Sequence, residues 1–189
     1  MENKVLALIA SFIAMVFVVF AYFVKKKERY LLFQLLCIVF LILSYFFNAQ
    51  FFAMVGLTIG LMRTTTFFLY EKKGDRASIK WSFLFSALTL ASYCIINLGI
   101  LKDAKPLDIL CLAGLSMYAF IFRIRNLKTV RFLMIIPTVL SILFNILTFA
   151  PIFATLSYSF ELGANVVSIF KYHVLPQKKE EKTLEPKDV

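Results

Sequence analysis

Histidine is nearly missing from this sequence: among 189 residues His173 is the only one, and it lies beyond the last apolar stretch. The apolar stretches therefore offer no imidazole as a general base or metal ligand. Cysteine is scarce as well. Cys37, Cys94 and Cys111 all fall inside apolar stretches. An odd number of buried thiols is no disulfide framework, and no pair has zinc-ligand spacing. HExxH, GxSxG, Walker and dinucleotide-binding signatures are absent, and acidic residues are too few for a membrane metal site. No catalytic set can be assembled. The expectation is a protein that is not an enzyme, uses no cofactor or metal, and is not driven by nucleotide hydrolysis.

Apolar residues are what the chain has in excess: 61% of it, with 22 Phe and a mean hydropathy of +0.83. A soluble domain of this size could not hide that much apolar surface, whereas a lipid-facing fold has no need to. A helical span needs about 20 residues at a 1.5 Å rise to cover roughly 30 Å of hydrocarbon. Seven stretches meet or approach that length: 5–24, 31–47, 51–70, 81–101, 107–122, 132–148 and 152–170. Barrel strands would alternate apolar and polar, and these runs do not. The first run is too long, and too weakly basic ahead of it, for a cleaved signal peptide.

The basic residues alternate in step with the spans. Lys25, Lys26, Lys27 and Arg29 follow span one; Lys72, Lys73, Arg76 and Lys80 follow span three. Arg123, Arg125, Lys128 and Arg131 follow span five, and five lysines follow span seven. That places 17 on one side, against Lys4, Lys102 and Lys105 on the other. By the positive-inside rule the amino terminus is outside and the carboxyl tail cytoplasmic. The net charge of +10 forms no continuous stripe, which excludes nucleic acid as a partner. Tyr22, Tyr30, Tyr70, Trp81 and Tyr172 fall near inner span ends, where an interfacial aromatic belt is expected.

The loops also repeat. Spans two and six are each followed by three residues, 48–50 and 149–151, and then by a span ending in a basic segment. This is one three-helix unit used twice, with span four restoring the orientation of the second. Arg29 aligns with Arg131, and Arg63 with Asn165, at the same offset. The expected fold is an all-α polytopic membrane protein of seven transmembrane helices, two parallel three-helix bundles joined by a linker helix. The divisions are 1–70 (first bundle), 71–106 (loop and linker helix), 107–170 (second bundle) and 171–189 (disordered cytoplasmic tail).

Arg63 is the residue to explain, since an arginine inside a span costs about 2.5–3.5 kcal/mol on insertion scales. Gly56, Gly60 and Arg63 share a helical face, which lets a neighbour approach and points Arg63 into the bundle; the alternative is an arginine snorkelling to the edge. Glu161 is the only carboxylate in mid-span, on a stripe with Tyr158, Asn165 and Ser168. An Arg63–Glu161 ion pair between the two units is the expectation. Further stripes are Gln34, Cys37, Ser44 and Asn48 in span two, and Thr138, Ser141, Asn145 and Thr148 in span six, where Pro137 is a kink site. Span four carries Ser82, Ser86, Thr89, Tyr93 and Asn97. Such stripes either line a cavity or join helices by hydrogen bonds. Asp108, just after Pro106, is placed to complement the N-terminus of span five.

Glu28-Arg29, then Gln34-Leu35, Arg63-Thr64 and Asn165, in that order and spacing, resemble the bacterial YgjV-type inner membrane proteins over roughly residues 25–172. The resemblance implies a location, the bacterial inner membrane, and no activity. The layout also resembles the wider SWEET and PQ-loop class of sugar facilitators and vitamin-precursor transporters. In the sugar facilitators, asparagines in the third and seventh spans line the substrate site. Asn165 fits the second of these, but Arg63 stands in the mirrored place, and the proline–glutamine signature is missing. The resemblance thus implies a transporter of a small polar or anionic solute rather than a neutral sugar. The expected binding residues are Arg63, Glu161, Asn165, Tyr158, Gln34, Asn48 and Asn145. The alternative is a non-transporting membrane protein with a structural or partner-binding role. The lipid bilayer, a small polar solute and a second copy of the chain are the partners expected.

Overall fold

The structure, a computed structural model, describes residues 2–47, 51–100, 106–147 and 152–174. Seven α-helices account for nearly all of them: α1 (Glu2–Phe23), α2 (Lys27–Phe47), α3 (Phe51–Lys72), α4 (Ile79–Tyr93), α5 (Asp108–Ile121), α6 (Leu127–Leu147) and α7 (Ile152–Ile169). Two of them run on in wider π-helical turns, α4 through Cys94–Ile100 and α7 through Phe170–Val174. Among the described residues, four stretches are long and apolar enough to cross a membrane: Val5–Phe23, Lys27–Phe47, Ile79–Ile96 and Leu127–Leu147. Large apolar side chains on their outer faces, such as Phe12, Phe83 and Ile95, remain about 60% exposed, as a lipid-facing surface requires.

α2 and α6 begin earlier than the apolar runs suggest, at Lys27 and Leu127. Hydropathy marks where lipid begins, not where the helix does, and the charged turns ahead of the spans are already helical. The chain also stays helical through Val174, into the expected tail. Residues 175–189, and Asn48 and Thr148, lie outside the described residues, as does the side chain of Asn97.

Each helix packs on the next in the chain, and α1 packs on α7, so the seven close into a circuit. Alanine spacing explains how tightly α1 fits. Ala7, Ala10, Ala14, Val18 and Ala21 recur every three or four residues and are all buried. A stripe of small residues lets backbones approach closely where no water drives association. Ser44, on α2, uses that closeness: it donates to the Ala7 carbonyl at 2.9 Å and lies 2.6 Å from Ser11 Oγ.

Alternate connections gather at one end. Lys27 Nζ meets Glu71 Oε2 at 2.7 Å. Arg123 Nε donates to the Ala77 carbonyl at 3.0 Å, and Arg125 donates to the Gly74 carbonyl. Gly74 makes this turn possible. Its positive φ of 75° closes α3 with paired bonds, from Gly74 N to Glu71 O and from Asp75 N to Tyr70 O, both 3.0 Å. The segments following α1, α3 and α5 therefore form a common basic end, which Tyr172, just past α7, joins through the Phe23 carbonyl.

Burial repeats along the chain. The buried positions Leu31, Gln34, Cys37 and Ile38 in α2 recur 100 residues later as Arg131, Met134, Pro137 and Thr138 in α6. Gly60, Arg63, Thr64 and Phe67 in α3 recur 101 residues later as Glu161, Ala164, Asn165 and Ser168 in α7. At these offsets Thr64, not Arg63, falls opposite Asn165, and Leu31, not Arg29, opposite Arg131, so the burial pattern differs by one or two positions from the alignment of charged residues.

Candidate functional site

Arg63 points into the bundle and is 6% exposed. Its Nη1 donates to the Leu115 carbonyl of α5 at 2.9 Å, and its guanidinium lies over the Tyr118 and Phe122 rings, 5.4 and 5.6 Å from their centroids. A hydrogen bond to a charged group and two ring faces compensate a cation removed from water. Gly60, one turn back, leaves room for it: a Cβ there would sit 3.7 Å from Arg63 Nη2. Gly56 is different. Nothing lies within 4 Å of a Cβ placed on it, so the expected close helix approach does not extend to that turn.

Glu161 is equally buried and accepts a hydrogen bond from Tyr22 Oη at 2.8 Å. The expected Arg63–Glu161 ion pair is not formed, because a chain of rings separates the two. Tyr22 meets Tyr30 edge-on at 5.5 Å, Tyr30 meets Phe122 at 6.2 Å, and Phe122 meets Tyr118, whose face carries Arg63. Tyr22 and Tyr30 are fully buried and belong to this chain, not to an interfacial belt. Trp81 and Tyr70 bond to each other, Nε1 to Oη, at 3.1 Å. Tyr172 reaches back to the Phe23 carbonyl at 2.7 Å.

Of the other expected binding residues, Tyr158 lies within electrostatic range of both Arg63 and Glu161. Gln34 faces the Glu161 carboxyl, but its Nε2 is outside hydrogen-bond geometry. Asn165, fully buried, donates from Nδ2 to the Arg131 carbonyl at 2.8 Å. Asn145 is buried near the far end of α6. Arg63 Nε, Gln34 Nε2, Asn145 Nδ2, Asn165 Oδ1 and Tyr30 Oη have no hydrogen-bond partner among the described residues. Native interiors leave few such groups unpaired. Here they are strung from one end of the bundle to the other.

Arg131 is the residue that sequence reasoning placed wrongly, as one loop charge among four. It lies within α6, is 1% exposed, and donates from Nη2 to the Tyr22 and Val24 carbonyls at 3.0 and 2.5 Å. It thus caps the last turn of α1, where carbonyls lack intrahelical partners and a cation complements the helix dipole. Its guanidinium also stacks 4.9 Å from the Tyr172 ring centroid. No sequence signal separates it from Arg123 or Arg125, which stay at the surface turns.

Two cavities approach this interior from opposite ends. At the basic end, a cavity of about 710 Å³ is lined by residues that include Lys25, Lys26, Arg125, Lys128 and Arg131. At the other end, one of about 350 Å³ is lined by Tyr45, Gly56, Tyr93, Asp108 and Leu115 among others. Leu115 is the residue whose carbonyl holds Arg63, and Arg131 the one whose carbonyl holds Asn165. Asp108, in the first turn of α5, also accepts from Tyr93 Oη at 2.8 Å. The polar stripes partly serve adhesion, as where Ser82 donates to the Ala119 carbonyl at 2.7 Å. Among the described residues no three His, Cys, Asp or Glu side chains gather to hold a metal ion.

No curated protein and no solved structure matches the chain. The family Imp-YgjV, described as a bacterial inner membrane protein, matches residues 5–175. With apolar helices closed around a polar interior over that same stretch, the chain belongs to this family of bacterial inner membrane proteins.

Proposed function

We propose that the protein carries a small polar or anionic solute across the inner membrane by alternating access. In this reading all seven helices cross the bilayer, with the amino terminus outside and the basic end in the cytoplasm. Two three-helix units, 1–70 and 107–170, rock against each other around the buried polar interior, with α4 as the linker. The observation that carries the reading is the run of buried, unfilled hydrogen-bonding atoms between two opposed cavities. The repeat of burial at 100 and 101 residues supports two units of one design. Arg63, with Nε unfilled, together with the donors of Gln34 and Asn145, favours a solute rich in hydrogen-bond acceptors. Tyr158, Glu161 and Asn165 complete the site, and Asn48 is assigned to it from its place on the Gln34 stripe.

One observation favours a non-transporting, partner-binding role instead: the chain from Tyr22 through Tyr30 and Phe122 to Tyr118 closes the bundle between the cavities. Reconstituted protein decides between them. Proteoliposomes presented with a panel of labelled small organic anions should accumulate at least one, and Arg63→Gln should abolish that uptake while leaving a folded, monodisperse protein. Failure of the wild-type protein to bind or move any of them, together with a protein that copurifies stoichiometrically, would establish the second reading.

A further inference from the structure

The cavity at the basic end lies where the N-termini of α2 and α6 come together. Its lining is paired across the repeat. Lys25 answers Arg125 and Glu28 answers Lys128 at 100 residues, while Glu71 answers Tyr172 at 101. In the two-unit reading proposed above, a cavity lined from equivalent positions on both units sits on the approximate two-fold axis that relates them. Two helix N-termini, each with partial positive charge, therefore border it. Lys27 is engaged by Glu71 at 2.7 Å. Arg125 and Arg131 already donate to the Gly74, Tyr22 and Val24 carbonyls, which leaves Lys25, Lys26 and Lys128 against one carboxylate, Glu28. Lys25, Lys26 and Arg125 are exposed, so their charged heads are accessible from this side.

Such an excess of cations is not needed to hold the helices. The pairs that tie this end together are Lys27 with Glu71 and the arginine bonds to backbone carbonyls, and Lys25 and Lys26 take no part in them. The volume of about 710 Å³ exceeds what a single small ion needs and falls within the roughly 300–1,000 Å³ of small-molecule sites. The geometry points to a binding site for a group bearing two phosphates, seated on the two-fold axis between the α2 and α6 N-termini. Lysine ammonium groups, with the Arg125 N–H groups not directed at the Gly74 carbonyl, supply the charge-assisted bonds. Two sources share this chemistry: the paired phosphates of a cardiolipin headgroup, which basic pockets between membrane helices bind, and a soluble diphosphate. The site is independent of transport, and its test reads binding alone.

Purified full-length protein is to be tested with two probes. One is cardiolipin in phosphatidylcholine nanodiscs, with retained lipid counted by native mass spectrometry. The other is inorganic pyrophosphate in zwitterionic detergent, with binding followed by calorimetry. Lys25→Gln/Lys26→Gln/Arg125→Gln should weaken the bound probe by at least about tenfold. Lys72→Gln/Lys73→Gln/Lys80→Gln removes as much charge at the same end, outside the cavity, and should change binding less than about twofold. Lys25→Arg/Lys26→Arg/Arg125→Lys keeps the charge and should keep the binding, which separates loss of the site from loss of the fold. Cardiolipin retention without pyrophosphate binding assigns the site to lipid, and the reverse assigns it to a soluble diphosphate. Equal losses in the two glutamine variants, loss in the charge-retaining variant, or a wild-type protein that binds neither probe would overturn the site.

Discussion

Where α1 meets α7 the helices themselves touch, and the Glu161 carboxyl is held by the Tyr22 hydroxyl. Where α3 meets α5, the long side chain of Arg63 makes the join through the Leu115 carbonyl and two ring faces. Both join the first three helices to the last three, and they fall at corresponding places in the burial pattern. Yet Glu161 answers Gly60, and Arg63 answers Ala164. Each charged side chain faces the absence of one in the other unit. At the offset of 101 residues burial is kept while charge is not, and the acid and the base sit in separate joins. Two joins with unlike chemistry can loosen independently, as the rocking motion proposed above requires.

The largest effect is expected where the two halves are made alike. Arg131→Leu gives α6 the residue that α2 already has in the equivalent place, Leu31. It removes both bonds to the end of α1 and the stacking on Tyr172. A loss of about 3 kcal/mol is expected, read from thermal or denaturant unfolding in detergent. A loss under about 0.5 kcal/mol would mean the units are interchangeable here and Arg131 caps nothing. A smaller effect tests the α1–α7 join. Tyr22→Phe deletes the donor to Glu161 and should cost about 1 kcal/mol, with Glu161→Gln adding little on top of it in a double-mutant cycle. Full additivity in that cycle would show that the two groups are not coupled. The smallest expected effect sharpens the separation of acid from base. Arg63→Gln and Glu161→Gln should be additive to within about 0.5 kcal/mol. A coupling well above that would restore the direct ion pair and remove the aromatic chain from between them.

Much of the architecture was open to reading in the chain. Each of the seven apolar runs coincides with a helix, and the third and seventh begin at Phe51 and Ile152, as expected. Arg63 and Glu161 stood out because buried charge is expensive, and both are buried. The stripe through Glu161, Asn165 and Ser168 faces the interior as its spacing implied. The aromatic chain was invisible for a reason that Tyr22 and Tyr30 make plain. A tyrosine near a span end satisfies an interfacial position and an interior one equally well, and only its rotation about the helix axis separates them. Tyr118 offered no cue either, since its ring is apolar enough to pass as lipid-facing. Arg131 lay in a run of four similar charges, and its special role depends on the end of a helix over 100 residues away.

Hydropathy and charge are sums over segments and need no partner to be counted. Composition alone therefore settled that this is a helical membrane protein with its basic turns set in alternation. Which side chains meet is a different kind of fact, because it depends on the rotation and register of helices far apart in the chain. Those were set by packing: small residues of α1 meeting α2, and rings filling the space between Arg63 and Glu161. Close packing across helices, and nothing local to any of them, placed the acid under a tyrosine and the arginine against a backbone carbonyl.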